Sequence, residues 1–470
     1  MRYLSTRGQA APRDFESVLL AGLAEDGGLF VPETWPALSA GEWRALRGLP
    51  YADLAAHLIG LYAPDLAAQG YDLRALCRDA YAGFAHPATA PLVQLDHGLF
   101  ALELFHGPTL AFKDFALQLV GRLFAQVLAR RGERVTIVGA TSGDTGSAAI
   151  AACAGQPGID IVILHPEGRT SEVQRRQMTT VLAPNVANIA VAGSFDDCQD
   201  LVKAMFADAP FRQAMHLSAV NSINWARVAA QIPYYAYAAL ALGAPDRPVA
   251  FAVPTGNFGN VLAAWAASRM GLPIERLVVA SNRNDILARF FRDGDMSVRG
   301  VEPSLSPSMD IQVSSNFERL LFELLGRDPA ATAAHMAAFR RSGTMPDGPA
   351  LRAAAPLFQG FALDDAATLA EIAHWHSAAG YLADPHSAVG LAAARALAPT
   401  LAPAGVPVVV AATAHPAKFP DALRQAVGIV PPLPPHLADL YERPESFTHA
   451  RADLTEIEDR VRAFVLRNAI

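Results

Sequence analysis

Up to about residue 92, apolar positions recur only in short helical patterns broken by Gly and Pro. Leu54, Leu58 and Leu61 sit at helical spacing and predict a helix over 53–61. From Pro91 the rhythm changes, and short runs rich in Val and Ile alternate with helical stretches. Residues 134–139, 249–253 and 406–412 predict buried strands, the last with Pro407 near its start, where a strand tolerates it. Residues 159–164, 187–192 and 277–281 predict further strands. Phe115, Leu119, Leu123 and Val127 recur every four residues and mark one face of a helix. Strands spaced by helices predict an α/β protein with parallel sheets, whose ligands lie at the carboxyl ends of strands.

Length and composition narrow this picture. The chain has 470 residues, roughly three domains' worth, ample for large cores. Its net charge of −7 argues against a dedicated nucleic-acid binder. Of 38 basic residues only Lys113, Lys203 and Lys418 are lysines, a bias that codon usage alone would produce. No Gly precedes a Lys, so a P-loop is absent. Cys77, Cys153 and Cys198 are odd in number and widely spaced, which predicts neither a disulfide framework nor a zinc ribbon and fits a reducing compartment. No apolar leader opens the chain and no run of ~18 apolar residues occurs, so a cytoplasmic protein without a membrane span is expected.

The loops after the three main strands hold the candidate chemistry. After the first come Thr141, Ser142, Gly143, Asp144 and Thr145, then a helix of small residues. Hydroxyls and glycines at a strand-to-helix turn make either an anion site or an ordinary capped turn. After the second come Gly256, Asn257, Phe258, Gly259 and Asn260, opening a helix over 261–267. This is not G-x-G-x-x-G, so a single-phosphate ligand suits it better than a dinucleotide. After the third, Thr413 offers a neutral hydroxyl, and Lys418 lies where it could contact an anion. Lys113 opens the helix carrying Phe115, between Phe112 and Phe115. Partial desolvation and a helix N-terminus both disfavour its charged form, which suits a Schiff-base lysine. His374 and His376 suggest a metal pair, with His386 nearby, but positions i and i+2 of a helix point to nearly opposite sides.

Together these segments resemble the fold-type-II pyridoxal-phosphate enzymes, and within them the long bacterial and fungal form of threonine synthase. His106–Phe115 resembles the cofactor-lysine segment, 141–146 the loop for the substrate α-carboxylate, and 256–260 the loop for the cofactor phosphate. Residues 221–227 resemble the substrate-phosphate segment, and 3–8 and 26–32 resemble the opening of the long form. Asp144, where related sulfhydrylases and dehydratases usually carry Asn, favours the narrower assignment.

The resemblance implies two open twisted α/β/α domains behind a mainly helical N-terminal segment. The expected division is a helical domain over 1–92, a smaller α/β domain over 93–248 and a larger one over 249–430. The larger domain has an inserted helical region at about 285–360, and a tail over 431–470 packs on the core. The implied reaction converts O-phospho-L-homoserine and water to L-threonine and phosphate with pyridoxal 5′-phosphate. Lys113 would be the catalytic Schiff-base lysine and proton shuttle. Thr141 to Thr145 would hold the substrate carboxylate, and Asn221, Ser222, Asn224 and Arg227 its phosphate. Gly256 to Asn260 would hold the cofactor phosphate, and Thr413 would meet the pyridine nitrogen. Asn221 and Arg227 are six apart, so a loop-to-helix turn across them is required. The alternatives are a phospholyase giving 2-oxobutyrate and a cofactor-free regulatory homologue. A small-molecule substrate and a monomer or homodimer are expected, with no nucleic acid and no metal. Residues 306–311 and 316–319 also match family segments, without a physical role legible from sequence.

Overall fold

The structure is a computed structural model that describes residues 1–219 and 221–468. Near the N-terminus β1 (Tyr3–Ser5) and β2 (Phe30–Pro32) pair antiparallel. Helices follow, among them Tyr51–Tyr62, which covers the predicted helix. Its Tyr51, Leu54, Leu58, Ile59 and Tyr62 are buried, as the four-residue spacing requires.

Two sheets carry the remainder. The chain runs through β3 (Leu92–Asp96), β4 (Leu99–Glu103), β5 (Val135–Ala140), β6 (Ile159–Pro166), β7 (Val186–Ala192) and β8 (Leu217–Ser218). It continues through β9 (Val249–Pro254), β10 (Ile274–Ser281), β11 (Phe358–Ala362), β12 (Val408–Ala412) and β13 (Thr448–Arg451). The larger sheet has the order β11-β10-β9-β12-β4-β3 and the smaller β13-β7-β6-β5-β8. All pairings are parallel except β3 with β4. Every residue of β6 and β9 is buried, because helices cover both faces of such sheets. β12 starts two residues later than the run at 406 suggests: Pro407 has no N–H to donate, although its carbonyl accepts from Ala250.

The helix Lys113–Arg131 buries Phe115, Leu119, Leu123 and Val127. Between β10 and β11 the chain is helical, with Ile286–Asp293, Phe317–Leu324, Pro329–Ser342 and Gly348–Ala353. Two expected boundaries differ from what is observed. The hairpin β3–β4 belongs to the larger sheet, where β4 pairs with β12 from Leu99 opposite Val408 to Glu103 opposite Ala412. Residues 93–103 therefore do not share a sheet with 135–218. Conversely, β13 joins the smaller sheet at the edge of β7, and the helix Leu454–Asn468 buries Ile457, Val461 and Phe464 against Ile189 and Leu201. The predicted tail thus covers a sheet edge that would otherwise expose unpaired backbone groups; its residues 469 and 470 lie outside the described residues.

Candidate active site

Lys113 stands on the first turn of its helix, which has no side-chain cap, with a side chain only 12% exposed. Of the two flanking aromatics, Phe112 has its ring centroid 5.6 Å from Nζ. Phe115 points the other way, into a cluster with Tyr51, Tyr81, Phe84 and Tyr234. Burial lowers the proton affinity of the Lys113 amine; nearby Asp144 opposes this, while Lys418 and Arg227 reinforce it.

The turn after β5 is built around Thr141. Its Oγ1 accepts from the N–H groups of Gly143 (3.0 Å) and Gly146 (2.9 Å). Gly143 has φ +143°, outside the range comfortable for other residues. The N–H groups of Ser142, Asp144 and Thr145 find no acceptor among the described residues, and they converge at the start of the helix Asp144–Cys153. Such free backbone N–H groups at a helix start could receive an anion. The Asp144 carboxylate faces away from it: Oδ1 accepts from Gln174 Nε2 (2.8 Å) and pairs with Lys418 Nζ (2.7 Å), while Oδ2 lies 3.5 Å from Lys113 Nζ. Two ammonium groups hold Asp144 ionised far below the usual carboxylate range, against the effect of burial.

After β9 the chain turns at Gly256, where a Cβ would come within 2.5 Å of the Ser308 carbonyl. Phe258 has φ +63° and precedes the helix Gly259–Arg269, which has no side-chain cap. The N–H groups of Asn257 to Asn260 take no acceptor among the described residues. Asn260 is held from below, its Oδ1 accepting from Tyr234 (2.5 Å) and Tyr235 (2.6 Å).

A third segment meets these two. Asn224 caps the helix Trp225–Ala229 by accepting from Ala226 N–H at 3.0 Å, so the required loop-to-helix turn is present. This occupies Asn224, whose Nδ2 donates to Leu19 O, and leaves its amide to shape the turn rather than to meet a ligand. Arg227, 4% exposed, has neither Nε nor Nη1 paired among the described residues, and burial alone brings its guanidinium down to about 10. A buried guanidinium without a counter-ion is costly unless an anion completes it.

Three family descriptions match successive parts of the chain: "Threonine synthase N terminus" over residues 2–81, "Pyridoxal-phosphate dependent enzyme" over 86–413, and "Threonine synthase, C-terminal" over 387–461. The threonine synthase of Pseudomonas aeruginosa is 53% identical over 460 residues, covering 97% of each chain. The chain belongs to the threonine synthase family. Among solved structures, the pyridoxal-phosphate-bound threonine synthase from Brucella melitensis matches with a TM-score of 0.93 at 50% identity, covering 99% of each chain. Yeast threonine synthase matches with a TM-score of 0.92 at 37% identity, again over 99% of each.

The fold of this threonine synthase family member is accordingly fold type II, and its cofactor is pyridoxal phosphate. The residues present fit that cofactor. A shielded amine of lowered proton affinity stands at Lys113, and the Gly256–Asn260 turn offers unpartnered N–H groups at a helix N-terminus with no room for a side chain at Gly256. Thr413 is anchored on both sides, its N–H donating to Ser387 Oγ (3.0 Å) and its carbonyl accepting from Phe112 N–H (2.9 Å). The strand end that carries Thr413 is thereby locked to the residue preceding Lys113.

Several residues organise this site in ways that sequence reasoning does not reveal. Asn316 Nδ2 donates to the carbonyls of both Ser222 and Asn257, each at 3.0 Å. Arg319, 1% exposed, holds Asn316 Oδ1, Ile223 O (2.5 Å) and Phe30 O (2.9 Å), and burial brings it down to about 9. These bonds give the segment 306–319 its physical role. His386 accepts from Ser308 N–H at Nε2 (3.2 Å), so its Nδ1 donates to Asp384 (2.8 Å), and it is no partner of His374 or His376. Gln174, which closes a capping box with Ser171, carries no sequence signal of its contact with Asp144; Lys418 stands out only as one of three lysines.

Proposed function

We propose that the protein forms L-threonine and phosphate from O-phospho-L-homoserine and water, in the cytoplasm. The unpaired Arg227 guanidinium carries the substrate assignment. The cofactor phosphate is accounted for by the 256–260 turn and a substrate carboxylate by the backbone at 142–145. Arg227 is therefore a further anion receptor, and a plain amino acid has no group for it. A phosphorylated one does, with a charge-assisted fork from Arg227 at its centre and Asn221 and Ser222, on the turn that leads into the Arg227 helix, as its further proposed contacts.

Pyridoxal phosphate supplies the electron sink that lets bonds at the substrate's α- and β-carbons be cleaved. The chain supplies the rest. The N–H groups of Ser142, Asp144 and Thr145 orient the carboxylate. Lys113, whose proton affinity burial lowers, takes and returns protons at the α- and β-carbons. Arg227 stabilises the phosphate as it leaves. Thr413 offers the pyridine nitrogen a hydroxyl, which cannot keep that nitrogen protonated as a carboxylate would.

The test is product analysis. Cofactor-loaded protein given O-phospho-L-homoserine should release threonine and phosphate in equal amounts. Release of 2-oxobutyrate and phosphate without threonine would overturn the reading.

A further inference from the structure

Lys418 is 0% exposed and makes two close polar contacts. Its Nζ donates to Thr109 O at 2.7 Å and lies 2.7 Å from Asp144 Oδ1. The other oxygen of that carboxylate faces Lys113 at 3.5 Å. Two buried amines therefore share one carboxylate, unequally. The closer one is also anchored through Thr109, whose N–H (2.9 Å) and hydroxyl (2.7 Å) are fixed by Asp114.

The charged groups around this triad come from separate elements. Asp144 belongs to the helix Asp144–Cys153, Lys418 to the turn Pro416–Lys418, and Arg227 to the helix Trp225–Ala229. On the far side of Asp144 stand Gln174 and, within electrostatic reach, His386. Behind Lys418 stands Asp114. Facing Lys113 there are thus two cations and one carboxylate, and that carboxylate is committed to Lys418.

We propose that Lys418 is a positioning residue: it takes the larger share of Asp144 as its own counter-ion and leaves the Lys113 amine only the more distant oxygen, so that the amine gives up its proton more readily. The inference rests on the reading of Lys113 as the cofactor lysine. Without Lys418, Asp144 would turn wholly to Lys113 and hold a proton there, and the repulsion from the second ammonium would vanish. Both changes act in the same direction. The pair also explains how a carboxylate is tolerated at position 144, beside backbone N–H groups that receive an anion. Lys418 cancels its charge, and no repulsion meets the substrate.

The experiment follows the visible absorbance of the cofactor-loaded enzyme against pH. Relative to wild type, Lys418→Met should raise the midpoint of the spectral transition by about one pH unit or more, a tenfold gain in proton affinity. Asp144→Asn should lower it, and the double variant should lie above Asp144→Asn. The double variant removes both members of the close ion pair, so its comparison with Asp144→Asn stands even if Lys418→Met does not fold. A merely structural role for Lys418 would change stability and leave these midpoints in place. Unmoved midpoints in a coloured enzyme overturn this inference alone. A protein that stays colourless with the cofactor overturns the reading of Lys113, and this inference with it.

Discussion

Asn316 donates its side-chain amide to the carbonyl of Ser222 at 3.0 Å, across 94 residues of sequence. The same nitrogen reaches Asn257 O at 3.0 Å, so one side chain ties the turn before Arg227 to the turn after β9. Asn316 is fully buried, and its own oxygen is held by Arg319. Replacing it by Ala strands the Ser222 carbonyl and one guanidinium nitrogen, while Asn257 O keeps the bond from the backbone N–H of residue 316 (3.1 Å). We expect Asn316→Ala to cost ~2–3 kcal/mol of stability by urea unfolding. Because the side-chain tie between the two turns is lost, the cofactor dissociation constant and the KM for O-phospho-L-homoserine should rise together. A rise in only one would show that the two turns are positioned independently.

Arg227 should separate stability from activity. Its guanidinium is buried with Nε and Nη1 unpaired, so the folded protein without substrate gains nothing from the charge. Arg227→Met is expected to melt at the same temperature as wild type or higher. Its kcat/KM on O-phospho-L-homoserine should fall roughly 10²- to 10³-fold, the loss of a charge-assisted bond or two. Inorganic phosphate should raise the melting temperature of wild type and leave the variant's unchanged. A strongly destabilised variant would mean that Arg227 holds the fold rather than an anion.

The parts of this architecture that were legible in sequence are those where one local signal suffices. β9 reads as a strand because both its faces are buried, and Lys113 reads as a site because lysines are scarce and aromatics flank it. Placement in a particular sheet is not local. The hairpin at 92–103 has the same sequence whichever sheet it joins, and its place is set by the pairing of β4 with the distant β12. Asn316 and Arg319 look like an ordinary polar helix start; their partners lie in three other segments. Asp144 reads as part of an anion loop, while its carboxylate turns toward a lysine near the other end of the chain. The pattern of hydroxyls and glycines suggests a backbone cradle, but the direction of that side chain is not written in it.

Gly256 tests how tightly the cofactor turn is built. A Cβ there would lie 2.5 Å from Ser308 O, a main-chain atom that cannot swing aside. Ser308 N–H in turn donates to His386 Nε2 at 3.2 Å. Gly256→Ala must therefore displace the 306–310 segment and break that bond. Overpacking of this kind costs ~1–3 kcal/mol, and we expect the cofactor dissociation constant to rise at least about tenfold. Unchanged cofactor affinity by equilibrium titration would show that the segment moves freely.

Asp114 gives the protein a pH dependence of definite sign. It is fully buried, and burial raises its carboxyl to about 6, opposed by the bonds from Thr109 and by Lys418. The unfolded chain titrates it near 3.8. Between these values the folded state binds more protons than the unfolded state, so stability falls as pH rises. The contribution is fully present below pH 3.8 and lost on passing 6. A shift of this size corresponds to about 3 kcal/mol. Asp114→Asn cannot ionise and should lack this component. Urea unfolding of both proteins at low and at neutral pH isolates it, since the other titrating groups are common to the pair. The stability of wild type relative to the variant should drop across that range. A relative stability that rises with pH would mean that the Thr109 bonds and the Lys418 charge outweigh burial, and that Asp114 is ionised throughout.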